Sequence, residues 1–230
     1  MSDSSSNNNT SANLASAPGD RPTPMAHVQH IIHHGGGWDA AWEQSVTPWR
    51  LGQSAPALQD LVKNNKFPLP ATGRVLVPGC GDGHDVLFLG TPERPALGLD
   101  ISPLAVQEAN KVRDALGVSA EVASYTAADF FTLEGEFTII YDYTFLCAIN
   151  PDMRAGWSSQ MGKLIQKDGV LVTLMYPLNE EREGGPPFVL SKELYHELLD
   201  ANFDLVYFDS NVQSEQARQG REAIGVWRRK

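Results

Sequence analysis

Three glycines at alternate positions form the most informative pattern in the chain. Gly79, Gly81 and Gly83 follow the short apolar run Arg74–Pro78, and a helical pattern begins within the next few residues. Because glycine has no Cβ, the backbone of such a loop can approach a bound group closely, and the N–H groups at the start of the next helix favour a nucleotide-like ligand. The pattern therefore predicts a ligand-binding loop, with a tight turn that binds nothing as the alternative.

A carboxylate stands where a ribose-binding acid is expected. Asp100 lies 21 residues after Gly79, at the end of the second apolar run, and a carboxylate there accepts hydrogen bonds from both ribose hydroxyls. A dinucleotide-binding loop would place its third glycine at position 84, which is His84. The spacing of the glycines therefore favours S-adenosylmethionine over a dinucleotide. The alternative role for Asp100 is that of a turn residue before a helix cap at Ser102.

Asp129 and Phe130 follow the third predicted strand after a short polar stretch. At that position a carboxylate can reach the edge of an adenine while an aromatic ring covers its face. We therefore predict that both residues bind the cofactor. The same residues also fit a loop or cap carboxylate followed by the ordinary core aromatics Phe130 and Phe131.

Three tryptophans precede the glycine loop. Trp38 and Trp42 are four residues apart and share one face of a predicted helix, and Trp49 follows on the next loop. Aromatic faces attract cations, so the three rings are predicted to bind the cofactor as a lid over its sulfonium, and Trp42 is assigned to catalysis as well. The alternative is a hydrophobic plug that anchors the N-terminal helix.

The fourth predicted strand ends on Asp142 and Tyr143. Ligands of doubly wound sheets collect at the carboxyl ends of the strands. Tyr143 is therefore assigned to the site as a candidate catalytic residue, with its hydroxyl near the reacting groups. Asp142 either binds the amino group of the cofactor or is a strand-end residue.

Short apolar runs alternate with helical patterns from Arg74 onwards. Seven strands are predicted, at Arg74–Pro78, Ala96–Ile101, Glu121–Thr126, Phe137–Tyr143, Val170–Tyr176, Phe203–Phe208 and Ala223–Trp227. Helices are predicted from about Ala26 to Gly35, at Pro56–Val62, from Asp85, from Ser102 to Gly117, from Asp152 to Gln166 and from Ser191 to Ala201. This alternation predicts a largely parallel sheet covered on both faces, with the final pair of strands as a candidate for an antiparallel edge.

Composition excludes several classes of function. The 230 residues carry a formal net charge of -10, and binding to nucleic acid needs the opposite, a clustered excess of Lys and Arg. No run approaches the roughly 18 apolar residues of a membrane span, and no secretory signal is visible, so a cytoplasmic protein is expected. Residues 1–25 are predicted to be a disordered tail and residues 26–230 a single domain. Cys80 and Cys147 are predicted to be free thiols.

Three other groups of residues are not assigned a ligand. They are the histidines His27, His30, His33 and His34, the helical stripe Met153, Trp157, Met161 and Leu164, and the basic residues Arg218, Arg221, Arg228, Arg229 and Lys230. The histidines lack a cysteine or carboxylate partner, so a solvated helix face is predicted and no metal. The stripe is predicted to be core. The basic residues are predicted to be solvated, although an arginine near the site would attract an anion.

Several of these runs resemble those of a known family. Leu76–Gly81, Gly98–Ser102, Asp142–Phe145 and Gly184–Pro187, with the spaced tryptophans, are similar to the thiopurine-methyltransferase-like superfamily, and within it to the thiol and halide methyltransferases. The resemblance extends from about Val28 to Lys230. It implies cofactor contacts at Trp38, Trp42, Trp49, Gly79, Asp100, Asp129, Phe130 and Tyr143. As in the family, Val77 replaces the acidic residue that many methyltransferases carry two positions before the loop, so other groups must hold the methionine end.

The resemblance also implies a fold and a reaction. The fold is α/β, a Rossmann-like class I methyltransferase with a seven-stranded, mostly parallel sheet, helices on both faces and an N-terminal helical lid. The reaction is transfer of a methyl group from S-adenosylmethionine to iodide, bromide, chloride, hydrosulfide, thiocyanate or a small thiol, which leaves S-adenosylhomocysteine.

Displacement by such an anion depends on alignment and exclusion of water, which accounts for the lack of a Ser-His-Asp or Cys-His pattern. The alternatives are a methyltransferase for larger aromatic or heterocyclic thiols and a non-catalytic S-adenosylmethionine-binding protein. A monomer with neither nucleic-acid nor membrane partners is expected.

Overall fold

Three helices precede the sheet. The computed structural model describes residues 24–230, which begin with α1 (Pro24–His34), α2 (Gly37–Glu43) and α3 (Pro56–Lys63). The glycines between α1 and α2 end the first helix as predicted, since Gly36 and Gly37 have φ values of 112° and 80°, which favour glycine. The predicted tail, residues 1–25, lies outside the described residues except for its last two, which belong to α1.

Seven strands form one mixed sheet. They are β1 (Val75–Pro78), β2 (Ala96–Asp100), β3 (Ala123–Ala127), β4 (Phe137–Tyr143), β5 (Ile165–Met175), β6 (Phe203–Asp209) and β7 (Ala223–Arg229). Their order across the sheet is β3-β2-β1-β4-β5-β7-β6. The first five in this order are parallel, whereas β7 is antiparallel to both β5 and β6. The predicted α/β fold with a mostly parallel sheet and an antiparallel edge is therefore confirmed.

Four further helices connect the strands. They are α4 (His84–Leu89), α5 (Pro103–Ala115), α6 (Arg154–Leu164) and α7 (Lys192–Leu199). Ser102 caps α5 as predicted, because its hydroxyl accepts a hydrogen bond of 3.2 Å from the N–H of Ala105. Ser191 caps α7 in the same way, at 3.1 Å from the N–H of Leu194.

The largest errors in the predicted elements concern α6 and β5. The helix was expected to run from Asp152 to Gln166, but α6 begins at Arg154, after a single 3-10 turn, and ends at Leu164. β5 then starts at Ile165, five residues earlier than predicted, because Ile165 pairs with Phe137 before the register shifts. This pairing depends on a strand distant in sequence, so local periodicity could not reveal it.

Two apolar cores lie on opposite faces of the sheet. One includes Trp157 of α6 and Tyr195 of α7, and the other includes Leu58 of α3 and Val86 of α4. All seven residues of β4 are buried, as expected for a central strand covered on both faces. The rigid sheet fixes the carboxyl ends of β1, β2, β4 and β5 along one edge.

Candidate functional site

A cavity of about 510 Å³ lies at the carboxyl edge of the parallel strands, within the usual volume range of small-molecule sites. Most of the site residues predicted from sequence line it together, namely Trp38, Trp42, Trp49, Gly79, Gly81, Asp100, Asp129 and Phe130. They come from α2, the loop after it and the ends of the first three strands. The topology thus brings together residues that lie up to 92 positions apart in the chain.

The glycine loop forms one wall of the cavity. Gly79 and Gly81 have φ values of 60° and 53°, in the left-handed region that other residues rarely adopt. A Cβ on Gly79 would lie 2.7 Å from the ring of Phe145, and one on Gly81 would lie 3.6 Å from Trp42. Gly83 has a different role, since it is not among the lining residues and a Cβ there would lie 2.5 Å from Tyr125.

Asp100 holds the glycine loop with its own carboxylate. One oxygen accepts a hydrogen bond of 3.0 Å from the N–H of Gly81, and the other accepts one of 3.0 Å from the N–H of Ser102. A carboxylate has about four acceptor positions, so each oxygen can take a further donor from the cavity. Burial raises the pKa of Asp100, and the two backbone N–H groups oppose that effect. Asp100 therefore has the turn role and also lines the cavity, and its binding of ribose stays a prediction.

Asp129 also lies at the cavity, with a structural hydrogen bond of its own. Its carboxylate accepts a hydrogen bond of 2.9 Å from the N–H of Phe131, which caps the start of a 3-10 turn. Phe130 is buried, and its ring packs edge-on against Phe131 at 5.4 Å and Phe145 at 5.1 Å. Asp129 is thus a cap residue and Phe130 a core residue, as the alternative interpretation predicted. Both residues also line the cavity.

The three tryptophan rings contact one another over the cavity. The ring of Trp49 lies 5.3 Å from Trp38 and 6.1 Å from Trp42, edge-on in both cases. The guanidinium of Arg50 lies over the Trp42 ring at 5.3 Å. The cluster presents aromatic surface to the cavity, where a cation is attracted.

The aromatic cover, which we define as Trp38, Trp42 and Trp49, lies on α2 and the loop after it. Side chains of α1 and α2 bond to the rest of the domain. Asp39 of α2 accepts a hydrogen bond of 2.5 Å from the hydroxyl of Ser102 at the start of α5. On the other side, Gln29 and His33 of α1 contact the carbonyl oxygens of Pro186 and Gly185 at 3.1 and 2.8 Å. The cover is therefore attached to two separate loops at the rim of the cavity.

Tyr143 and Asp142 are placed differently from the other predicted residues. Tyr143 is not among the lining residues of the main cavity, and its hydroxyl bonds to Glu222 and Arg218. Its catalytic role stays a prediction. Asp142 is 1% exposed and accepts hydrogen bonds from Leu146 and Trp157, and burial raises its pKa to about 6. This geometry favours the strand-end role for Asp142.

The sequence did not identify the residues at the other end of the cavity. Arg218 and Arg221 both line it together with Tyr176, which follows β5. Arg218 was expected to be solvated, but it is 6% exposed, and its guanidinium lies over the rings of Tyr143 and Tyr176 at 5.1 and 4.8 Å. Arg221 stacks on Tyr176 at 5.2 Å and bonds to Glu180. No spacing separates these arginines from the exposed Arg228.

The structure also places the methionine stripe, the histidines and the cysteines. Met153 lines the cavity and is 41% exposed, whereas the rest of its stripe is buried core. The four histidines of α1 and its end are exposed, and among residues 24–230 no group of His, Cys, Asp and Glu is arranged to hold a metal ion. Cys80 and Cys147 are free thiols. Within the described part of the chain, no helix is long and apolar enough to cross a membrane.

Comparison with known proteins identifies the fold and the family. An S-adenosylmethionine-dependent methyltransferase from Methanosarcina mazei superposes with a TM-score of 0.60 at 14% identity, over 73% of this chain and 97% of that one. The fold is therefore that of the Rossmann-like methyltransferases. Residues 33–230 match the family model of thiopurine S-methyltransferase, so the chain belongs to the thiopurine S-methyltransferase family and is an S-adenosylmethionine-dependent methyltransferase.

Two relatives from Arabidopsis thaliana share more of the sequence. Thiocyanate methyltransferase 1 is 39% identical over 213 residues, which cover 90% of this chain and 92% of the relative. A protein named probable thiol methyltransferase 2 is 40% identical over 197 residues, which cover 84% of this chain and 85% of the relative. The similarity thus spans nearly the whole length of both relatives.

Proposed function

We propose that this protein transfers a methyl group from S-adenosylmethionine to a small soft anion: thiocyanate, hydrosulfide, another small thiolate or a halide. The observation that carries the proposal is a single cavity with a nucleoside-type site over β1 and β2 and two arginines beside β5 and β7. The names of the Arabidopsis relatives, thiocyanate and thiol methyltransferases, support the same class of acceptor.

The cofactor-binding half fits S-adenosylmethionine. Asp100 has acceptor positions left for two ribose hydroxyls. Gly79 and Gly81 line the cavity, so a ligand there can lie against their backbone. When bound, this cofactor supplies a methyl group on a positively charged sulfur. Trp38 and Trp42 line the cavity with aromatic surface, which stabilises such a charge and excludes water.

The acceptor-binding half lies across the sheet from Asp100. Asp100 ends β2, whereas Tyr176 follows β5, three strands away, which corresponds to about 14 Å at the usual strand spacing. Arg218 and Arg221 supply positive charge there, beside the aromatic ring of Tyr176. A soft anion is attracted by these charges and loses little hydration on entering such a pocket.

The lining favours an acceptor that is already ionised. None of the described lining residues is a histidine, lysine or glutamate, and both carboxylates in the lining, Asp100 and Asp129, lie at the cofactor end. Cys147 also lines the cavity, but burial raises the pKa of its thiol to about 12, so it is a poor proton acceptor. The chain is therefore arranged to position an anion, not to deprotonate a neutral nucleophile.

The test is headspace gas chromatography of the purified protein with S-adenosylmethionine and, in parallel, thiocyanate, hydrosulfide, iodide and chloride. We expect the volatile methylated product of at least one small anion. Arg218→Gln should raise the KM for that anion about 10- to 150-fold, since a hydrogen bond to a charged group is worth about 1.5–3 kcal/mol. Arg228→Gln, on the exposed part of β7, is the matched control and should leave KM unchanged. Absence of every small methylated product would refute the proposal.

A heterocyclic or aryl thiol is the second candidate acceptor. The family name supports it, and so does the cavity, because about 510 Å³ with partly exposed Met153 at its wall offers room beyond a single small ion. An aryl thiol is therefore included in the same assay. A larger kcat/KM for it than for every small anion would favour this candidate.

A further inference from the structure

A chain of buried polar groups lies behind the acceptor end of the cavity. Glu222 is 4% exposed, Tyr143 is 8% exposed and Arg218 is 6% exposed. The hydroxyl of Tyr143 donates a hydrogen bond of 2.5 Å to Oε1 of Glu222, and the same hydroxyl accepts one from Nη1 of Arg218. Tyr143 thus connects a buried carboxylate to the guanidinium that lines the cavity.

The charges in this chain are opposite and enclosed. Burial raises the pKa of Tyr143, so its hydroxyl stays protonated and the two charged members are Glu222 and Arg218. Arg218 has five N–H groups, and two of them donate to Tyr143 and to the carbonyl of Trp49, the latter at 2.9 Å. Three are left for an anion in the cavity. The negative charge of Glu222 acts against the attraction of that anion.

We propose that Glu222, which does not line the main cavity, is a positioning and specificity-determining residue for the acceptor. Through the Tyr143 hydroxyl it fixes the orientation of Arg218. Its charge also lowers the affinity of the pocket for anions, so that competing ions occupy the site less. This inference rests on the proposed function, because it assumes that the acceptor binds at Arg218.

The same contacts connect the acceptor end to the aromatic cover. Arg218 holds the carbonyl of Trp49, and the ring of Trp49 packs against Trp38 and Trp42. A change in the orientation of Arg218 therefore reaches the segment that closes the cofactor site. Arg218, which Glu222 orients through Tyr143, therefore contacts both the acceptor end of the cavity and the segment over the cofactor end.

The decisive variant is Glu222→Gln, which keeps an oxygen to accept from Tyr143 but removes the charge. We expect the KM for thiocyanate to fall about tenfold, because the variant removes a negative charge that repels the anion at close range in a partly screened interior. The kcat should stay within twofold of the wild type, and the KM for S-adenosylmethionine should be unchanged. Glu215→Gln is the matched control, since Glu215 lies on the same loop and bonds to Gln53 near the surface. It should leave both KM values unchanged.

Binding of thiocyanate to the complex with S-adenosylhomocysteine, measured by calorimetry, provides the same comparison without turnover. Tighter binding to Glu222→Gln than to the wild type supports the inference even if no acceptor is methylated, an outcome that would refute only the proposed function. Equal or weaker binding overturns the inference, because a purely structural role for Glu222 cannot tighten the site.

Should Glu222→Gln fail to fold, Glu222→Asp keeps the charge and withdraws the hydrogen bond. At least a fivefold rise in the KM for thiocyanate then supports the inference, and an unchanged KM overturns it.

Discussion

Asp100→Asn is the substitution that most directly tests how the cofactor is held. In the wild type each carboxylate oxygen accepts one backbone N–H, from Gly81 or Ser102, and can still accept a ribose hydroxyl. An asparagine keeps one acceptor oxygen and places an NH2 group against one of those N–H donors. The variant therefore loses the charge, one ribose contact and one internal hydrogen bond.

The magnitude follows from these losses. A hydrogen bond to a charged group is worth about 1.5–3 kcal/mol, so the affinity for S-adenosylhomocysteine should fall about 10- to 150-fold. The assay is isothermal titration calorimetry with S-adenosylhomocysteine, which needs no acceptor. The control is Asp114→Asn, which changes an exposed carboxylate of α5 that bonds to Arg113. Because burial raises the pKa of Asp100, the difference from wild type should shrink as the pH falls and that carboxylate takes up a proton. Binding within threefold of wild type at pH 7.5 would refute the assignment of Asp100.

Three further substitutions test the loop, the core and the cover. Gly79→Ala should lower the free energy of unfolding by about 2–5 kcal/mol in urea titrations, because it adds left-handed strain and a clash with Phe145. Asp142→Asn should destabilise the protein more at pH 4 than at pH 7, by up to about 3 kcal/mol. Asp39→Ala should raise the KM for S-adenosylmethionine several-fold, about 3- to 10-fold for a lost hydrogen bond, since α2 is no longer tied to Ser102.

Each of these predictions has a specific reason and control. Gly52→Ala shares the positive φ, 69°, but meets nothing within 4 Å, so it should cost only about 1 kcal/mol of strain; an equal loss in both variants would exclude the clash. Burial raises the pKa of Asp142 to about 6, so the folded state holds its proton between pH 4 and pH 6 and wild-type stability declines over that window. A pH-independent difference between Asp142→Asn and the wild type would contradict this. For Asp39, a KM equal to that of the wild type would show that α2 needs no such tie.

The proposed cofactor half of the site could be located from local sequence. Gly79 and Gly81 require a backbone that only glycine adopts readily, and Asp100 stands at the end of a strand with its helix cap two residues later. These signals lie within about 25 residues of chain, where the strand-loop-helix order alone fixes the relative positions. The spacing of Trp38 and Trp42 on one helix face is local in the same sense.

The proposed acceptor half is decided by tertiary structure. Arg218 becomes a buried cavity residue only because β7 enters the sheet antiparallel beside β5, which brings the loop before β7 to the edge where Tyr176 lies. Its partner Glu222 meets Tyr143 across 79 residues of sequence. Sequence by itself determined the glycine loop, the helix caps and the mostly parallel character of the sheet, because those depend on backbone conformation and near neighbours. Which arginine is buried, and which carboxylate compensates it, depends on strand pairing between distant segments, and only the folded chain decides that.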